Sequence, residues 1–431
     1  MNMSDWLHQI AVGFRDTLRL ARTIPQALEH KWTGTQAAWS ASRRLRLPIR
    51  PIPWNHEAAE AALQELELFL PFLGRNIRHC STEHTLCQQD QEVLELIQHD
   101  TAQHNRSNIT RTAAYLDCYQ AYPELHWALL AHLVSRNGGY NMTDLKGGLL
   151  QDLLSDQDRS SLYRLLERSN ALIFQDAYPQ LQLYAHSRRL GRSCFHLLPH
   201  FHISAFMHPF WERFWTKRDS VMLSVALIIN EQYYIEGRVI QHPYFQKHVT
   251  STLGFKMNQW LQLNQVLFPL GINGHLAGLV LEQFGSLSKR IAFGKQLYGM
   301  LFGYKQVLEQ VTAFVNQVPH EGSRSEYWPG LFTPHRQQAL RSPVESAALV
   351  ASQWLPEGQR LYSPKLHEVW TDTTYEPIPH YDWYQQRMVM SYLTKPRRPL
   401  LFEISHEHRF GIQKLAWAHD AEANLTLPTS L

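Results

Sequence analysis

The stretch Leu223–Ile240 constrains this chain more than any other: it reads as one strongly apolar helix that nevertheless carries Asn230, Glu231, Glu236 and Arg238. No stretch of the sequence supplies the ~18–20 apolar residues that a membrane-spanning helix needs. A helix this apolar must therefore be packed inside a body of other helices. Its polar side chains then need partners, because an unsatisfied buried polar group costs about 1–3 kcal/mol. Glu231 and Arg238 are seven residues apart and share a face, which predicts an internal polar cluster. Two readings of that cluster stand side by side. It is either a buried ion-pair network or the carboxylate part of an active site, with Glu231 or Glu236 as a general acid or base.

The rest of the sequence supplies the other helices. Glu57–Phe72 is rich in Ala, Leu and Glu, the strongest helix formers. A second helix is predicted over Gln91–His99, and the cap-rich run Asn108–Thr112 precedes another over Ala113–Tyr122, closed by Pro123. Leu125–Ser135 reads as a buried helix stopped by Asn137-Gly138-Gly139. Further helices are predicted over Leu145–Leu154, Ser160–Phe174, Leu253–Leu267, Leu276–Phe284 and Ile291–Val318, while strand signals are short and scattered. Near the start, Trp6, Ile10, Phe14 and Leu18 recur at helical spacing with Arg15, Arg19 and Arg22 on another arc. Such a helix either docks on the main body or lies on an anionic membrane. Pro48, Pro51 and Pro53 mark a linker. After Pro319 prolines recur as far as Pro399 among Trp354, Trp370, Trp383 and Trp417, which predicts an irregular segment wrapping the helical body.

Composition narrows the functional classes. Hydrophobic residues form 44% and aromatics 12% of 431 positions, far from the signature of disorder. A formal charge of +3 is too small to imply a nucleic-acid partner. The charge is uneven, however: residues 1–50 carry eight Lys/Arg and three acids, and residues 51–104 carry two and nine. Cys80, Cys87, Cys118 and Cys194 are irregularly spaced, and the N-terminal apolar residues are interrupted by Asp5, Arg15, Asp16 and Arg19. Both features predict a reducing, cytoplasmic setting.

Six longer runs carry a resemblance: Arg111–Tyr115, His126–His132, Ser135–Gly147, Phe174–Gln180, Ile229–Gln232 and His320–Arg324. Together they resemble the YppC-like family of uncharacterised proteins from bacilli and relatives, over roughly residues 105–340 with a looser echo to about 385. At Glu321 and Ser325-Glu326 the sequence departs from the family form, and residues 1–100 lie outside the resemblance. The resemblance implies a domain of unknown function and brings no activity with it.

Within that core, Ser135–Lys146 sets Arg136, Asn137, Asn141, Thr143, Asp144 and Lys146 around a predicted Gly-Gly turn. A helix starting near Thr143-Asp144 would make this an anion site with Arg136 and Lys146 as charges. A brace formed by Arg136 and Asp144 explains the same residues. His132 and Arg136, four apart, share a face; Glu167 and Asn170, three apart, do likewise. His126 and His132 lie about 120° apart on a helix and would not chelate one metal. His79-Cys80, His84 and Cys87 match no common zinc spacing. His196, His200, His202 and His208 form no recognised pattern, and Glu403-x-x-His406 lacks the mate of a di-iron signature. No metal site is expected, no cofactor is indicated, and GxSxG, HExxH and GxGxxG are absent.

The expected architecture is mainly α, a multi-helical globular domain with an N-terminal helical extension and a Pro/aromatic-rich irregular C-terminal segment. Residues 1–53 form the basic extension and linker, 54–104 an acidic helical segment, 105–340 the core and 341–431 the wrap. The chemistry is not named by the sequence. The expectation is an intracellular enzyme or small-ligand binder with a polar pocket for an anionic substrate. Glu231, Glu236, His132 and Glu167 are its catalytic candidates. Its binding candidates are Arg111, Arg136, Asn137, Asn141, Asp144 and Lys146, together with Asn170, Asp176, Asn230, Arg238 and Arg324. The alternative is a non-catalytic scaffold or a membrane-surface protein attached through residues 1–50.

Overall fold

The computed structural model describes residues 32–73, 86–148, 150, 154–250, 264–271, 274–339, 360–373 and 380–412. The predicted helix over 4–24 and the His79, Cys80 and His84 part of the histidine–cysteine motif lie outside them. The helices, in chain order, begin with α1, seen over 32–45, α2 (His56–Leu73), α3 (Gln88–His104), α4 (Asn108–Ala121) and α5 (His126–Asp144). They continue with α6 (Asp156–Leu190), α7 (His208–Lys217), α8 (Ser220–Ile235), α9 (Leu287–Gly303) and α10 (Lys305–Gln317). Among the described residues the only sheets are two-stranded, and the architecture is mainly α.

Helix α8 is the axis. Twelve of its 16 residues are buried, and α5, α6, α7 and α9 pack around it. A helix that is apolar all round has no solvent face to offer, so the fold encloses it. Asp219 starts it, accepting a hydrogen bond from the Met222 N–H at 3.0 Å. Helices α4 and α5 form a hairpin packed against α6. Helix α6 runs for 35 residues, starts at the Ser155 cap and ends at Gly191, whose φ of 70° suits glycine.

Several expected boundaries are corrected. Asn137-Gly138-Gly139 does not stop α5, which continues to Asp144. These glycines serve close packing: a Cβ on Gly138 would stand 2.9 Å from the Asn170 amide nitrogen, and one on Gly139 would stand 2.7 Å from His320 Nε2. Thr143-Asp144 is consequently a helix end rather than a helix start, which removes the predicted anion site at an N-terminus. The apolar run through Ile240 is also divided, because α8 gives way to a π-helical turn over Glu236–Ile240. The wider turn shifts the phase of everything after it, so Arg238 does not stack over Glu231.

Residues 276–280 of the helix predicted over Leu276–Phe284, and residues 265–267 of the one before it, are instead strands of a β-hairpin, and residues 253–263 lie outside the described residues. Strand β1 (Gln265–Leu270) pairs antiparallel with β2 (His275–Val280), Phe268 opposite Ala277. Residues 145–148 form turns rather than a helix. The long helix predicted over Ile291–Val318 is two, α9 and α10, broken at the extended residue Tyr304. The C-terminal segment is largely irregular, with short helices over Leu366–Val369 and 405–412, and β4 (Leu361–Tyr362) pairs parallel with β3 (Phe332–Thr333). Its aromatics reach into the body: the Trp370 indole donates to the Met142 carbonyl at 2.9 Å, Trp383 donates to Asn230 at 2.9 Å, and the Tyr384 hydroxyl reaches the Leu66 carbonyl at 3.0 Å. Among the described residues no helix is long and apolar enough to cross a membrane.

Candidate functional site

The charged residues of the core are gathered into pairs. Arg111 on α4 binds Glu167 on α6, both almost fully buried. Arg136 on α5 donates to Glu326 at 2.6 Å and to the Tyr140 hydroxyl at 2.7 Å. Arg324 clasps both Asp144 oxygens and reaches Tyr327. Arg290 on α9 binds Glu236, in the π turn. Each pair keeps its partner from being an uncompensated buried charge, a loss of about 3–5 kcal/mol.

The Glu326 pair anchors a wider network. Its other oxygen accepts the backbone N–H groups of Glu321 and Ser323 at 2.7 and 3.0 Å. His320 lies 3.2 Å away through Nδ1 and meets Asn108 through Nε2 at 2.9 Å. Asn108 in turn donates to Ser135, whose hydroxyl contacts Thr112 at 2.7 Å. Burial alone would push the Glu326 carboxyl up, but His320, Arg136 and these donors hold it at about 2. Burial drives His132 down to about 3, and its Nδ1 faces the Thr112 carbonyl at 2.8 Å. A neutral histidine held by a backbone carbonyl is a core residue.

Beside these pairs lies a partly open cavity of about 270 Å³ lined by residues of α4, α5, α6, α8, α9 and β1. Its walls are mainly Leu130, Leu162, Leu165, Ile173, Phe293 and Leu297. Polar residues also line it, among them Asn137, Asn141, Asp144, Asn170 and Arg290, the last already paired with Glu236. Glu231 is the chief one: Trp127 Nε1 and Gln232 Nε2 each donate to it at 3.2 Å, and no cation pairs with it among the described residues. Burial lifts its carboxyl to about 8, so it is protonated at neutral pH. The buried Tyr115 hydroxyl and Gln265 Nε2, both in the wall, have no hydrogen-bond partner. The Tyr115 hydroxyl and the Gln265 amide nitrogen are sealed within the wall, so Glu231 is the acid that faces the mostly apolar space.

Of the residues singled out in the sequence, Glu231, Asn137, Asn141, Asp144 and Asn170 line this cavity. Asn137 also clamps β1, donating to the Leu267 carbonyl and accepting its N–H. Arg111, Arg136, Glu167, Glu236 and Arg324 sit in ion pairs. Asp176 and Asn230 bond to each other, with Gln180, Trp211 and Trp383 completing the chain. Burial lifts Asp176 to about 7. Arg238 lies between the Tyr234 and Tyr381 rings, 4.0 Å from each centroid, and donates to both residues' carbonyls. Lys146 rests 5.0 Å over Trp370. The expected Arg136–Asp144 brace and Glu231–Arg238 pairing are replaced by these partners. Because the arginines are neutralised, an anion would meet no unpaired guanidinium in this cavity. Tyr115 and Trp127 fall within two of the runs that carry the family resemblance but were not singled out as site residues, and nothing in the local sequence marks Gln265. Among the described residues no three His, Cys, Asp or Glu side chains gather as a metal site. His196 pairs with Asp90 instead, and His202 stacks on His380.

Comparison with known proteins locates the cavity in a recognised segment. A family model described as "Protein of unknown function (DUF2515)" matches residues 103–416. "Uncharacterized protein YppC" of Bacillus subtilis (strain 168) is 44% identical over 237 residues, 55% of this chain and 73% of that protein. No solved structure matches the chain.

Proposed function

The chain belongs to the DUF2515 family, and on that premise we propose that its helical core binds a small, uncharged, largely apolar molecule carrying one hydrogen-bond acceptor. The observation that carries this reading is the position of Glu231, a carboxyl in the wall of a mostly apolar cavity that bonds Trp127 and Gln232 and pairs with no cation among the described residues; burial lifts it to about 8. A protonated carboxyl donates one hydrogen bond. That donor suits a carbonyl or hydroxyl oxygen on the ligand.

The volume sets the scale. A dry cavity of ~150 Å³ holds a benzene, so about 270 Å³ takes on the order of ten non-hydrogen atoms. A carboxyl with this pKa also has the proton in place to act as a general acid towards a bound acceptor. Enzymatic turnover, if present, would run through Glu231. An anionic ligand is disfavoured, because its charge would be desolvated among leucines with the nearby arginines already paired. The experiment is a titration with 2-naphthol, ten carbons and one hydroxyl, against its anionic analogue 2-naphthoate, in the full chain and in Ala131→Phe, which fills the cavity wall.

We place this activity in the cytoplasm. A second partner, a membrane surface met by the basic N-terminal end, is favoured by a separate observation, the exposed tryptophans of α1.

A further inference from the structure

Two segments distant in sequence form one cationic and apolar face. Helix α1 turns Ala38 and Ser42 inward, and the Ser42 hydroxyl accepts the Phe402 and Glu403 N–H groups at 3.1 and 2.9 Å. Past α1, the Arg50 carbonyl accepts a hydrogen bond from Arg398 at 2.8 Å, and Tyr304, bridged to Ile49, donates to the Pro399 carbonyl at 2.8 Å. Residues 32–50 and 398–403 are thereby fixed side by side.

What they present outward is unusual in two respects. Six large apolar side chains are exposed: Trp32 at 69%, Leu47 at 64%, Leu400 at 59%, and also Trp39, Ile49 and Leu401. On α1, Trp32, Trp39 and Arg43 fall at positions i, i+7 and i+11 of one face. The exposed charges are basic, and the one acid of residues 32–50 and 398–403, Glu403, is buried. Residues 32–56 hold Arg43, Arg44, Arg46 and Arg50, residues 391–402 hold Lys395, Arg397 and Arg398, and neither segment contains an Asp or Glu. The Arg46 guanidinium lies 5.6 Å over the Trp39 ring.

We infer that this composite face docks on an anionic lipid surface. The inference deepens the membrane reading above, adding residues 391–402 to the N-terminal segment, and is independent of the cavity. Tryptophan and arginine are the side chains that suit the headgroup boundary, one burying a ring and the other its stem. Uniform positive charge complements anionic headgroups. A single-stranded nucleic acid would also attract the arginines, but it needs aromatic rings for base stacking, and four of the six apolar side chains are aliphatic.

The test is co-sedimentation of the full chain with phosphatidylcholine vesicles, with and without phosphatidylglycerol. Binding is expected to the anionic vesicles and to be weak on the neutral ones. Arg43→Ala with Arg44→Ala should weaken it roughly twenty-five-fold, about five-fold per arginine. Leu400→Ser with Leu401→Ser should weaken it without altering its salt dependence, and all four positions are exposed enough to leave thermal unfolding unchanged. The inference is overturned if the wild type does not bind, or if both variants bind like the wild type. It is also overturned if the same substitutions abolish oligonucleotide binding or dimerisation while vesicle binding persists. Failure here would leave naphthol binding in the cavity unaffected, so the two readings fail separately.

Discussion

Replacing Glu231 with glutamine tests the physical basis of the cavity through stability alone. In an unfolded chain this carboxyl titrates near 4.5, and in the fold near 8. Between those values the folded protein holds a proton that the unfolded chain has released. Stability therefore falls as pH rises through this window, by about 1.4 kcal/mol per pH unit for the one group. Below about 4.5 both states are protonated and Glu231 adds no slope. Glutamine keeps the size, still accepts the Trp127 indole N–H through its carbonyl oxygen, and cannot titrate. The difference in unfolding free energy should thus move in favour of Glu231→Gln by about 2.7 kcal/mol between about pH 5.5 and 7.5. His126 and His132, which burial holds near 4 and 3, give an opposite slope below about pH 6.5, common to both proteins and cancelling in the difference. Urea unfolding followed by tryptophan fluorescence at several pH values measures it. Parallel stability profiles for the two proteins would refute the reasoning, since they would mean that Glu231 titrates like an exposed carboxyl.

Two further substitutions test the framework around the cavity. Arg136→Met removes the arginine from the buried Glu326 carboxylate, leaving it His320 and two backbone N–H groups, and should cost about 3–5 kcal/mol in urea unfolding, while adding Glu326→Leu should recover much of that loss; equal loss in single and double variants would contradict the pairing. Gly139→Ala should destabilise by about 1–3 kcal/mol, because the new methyl meets Asn108 and His320. Gly285→Ala, with nothing within 4 Å of the added methyl, is the matched control and should change little.

Much of the helical architecture was legible because local preference and tertiary structure agree. The Ala/Leu/Glu run became α2, and the apolar run that opened the reading became α8, buried as its composition required. The pairing of charges was not legible. Arg136 finds Glu326 and Asp144 finds Arg324 across long stretches of chain, and no local pattern encodes such partners. The glycine pair misled for the same reason: helix propensity sees a breaker, whereas Asn170, Asn108 and His320 pack so near that only glycine fits. The hairpin was missed because short apolar runs such as Val266–Leu270 look alike in strand and buried helix. The π turn at Glu236–Ile240 has no sequence signature, yet it separates Glu231, in the cavity, from Glu236, in an ion pair.

The site itself was half visible. A carboxylate on an apolar helix drew attention to Glu231, but the sequence suggested cationic surroundings and an anionic ligand. Packing instead spends the arginines on other acids and leaves this carboxyl to take up a proton.

The most direct measurement is the paired titration at pH 7 with 2-naphthol and 2-naphthoate. The account predicts that 2-naphthol binds the full chain with a Kd on the order of 100 µM, as a ligand of this size allows. Binding should disappear in Ala131→Phe, while 2-naphthoate shows none. Binding of 2-naphthoate in preference to 2-naphthol, or 2-naphthol binding untouched by Ala131→Phe, would contradict it.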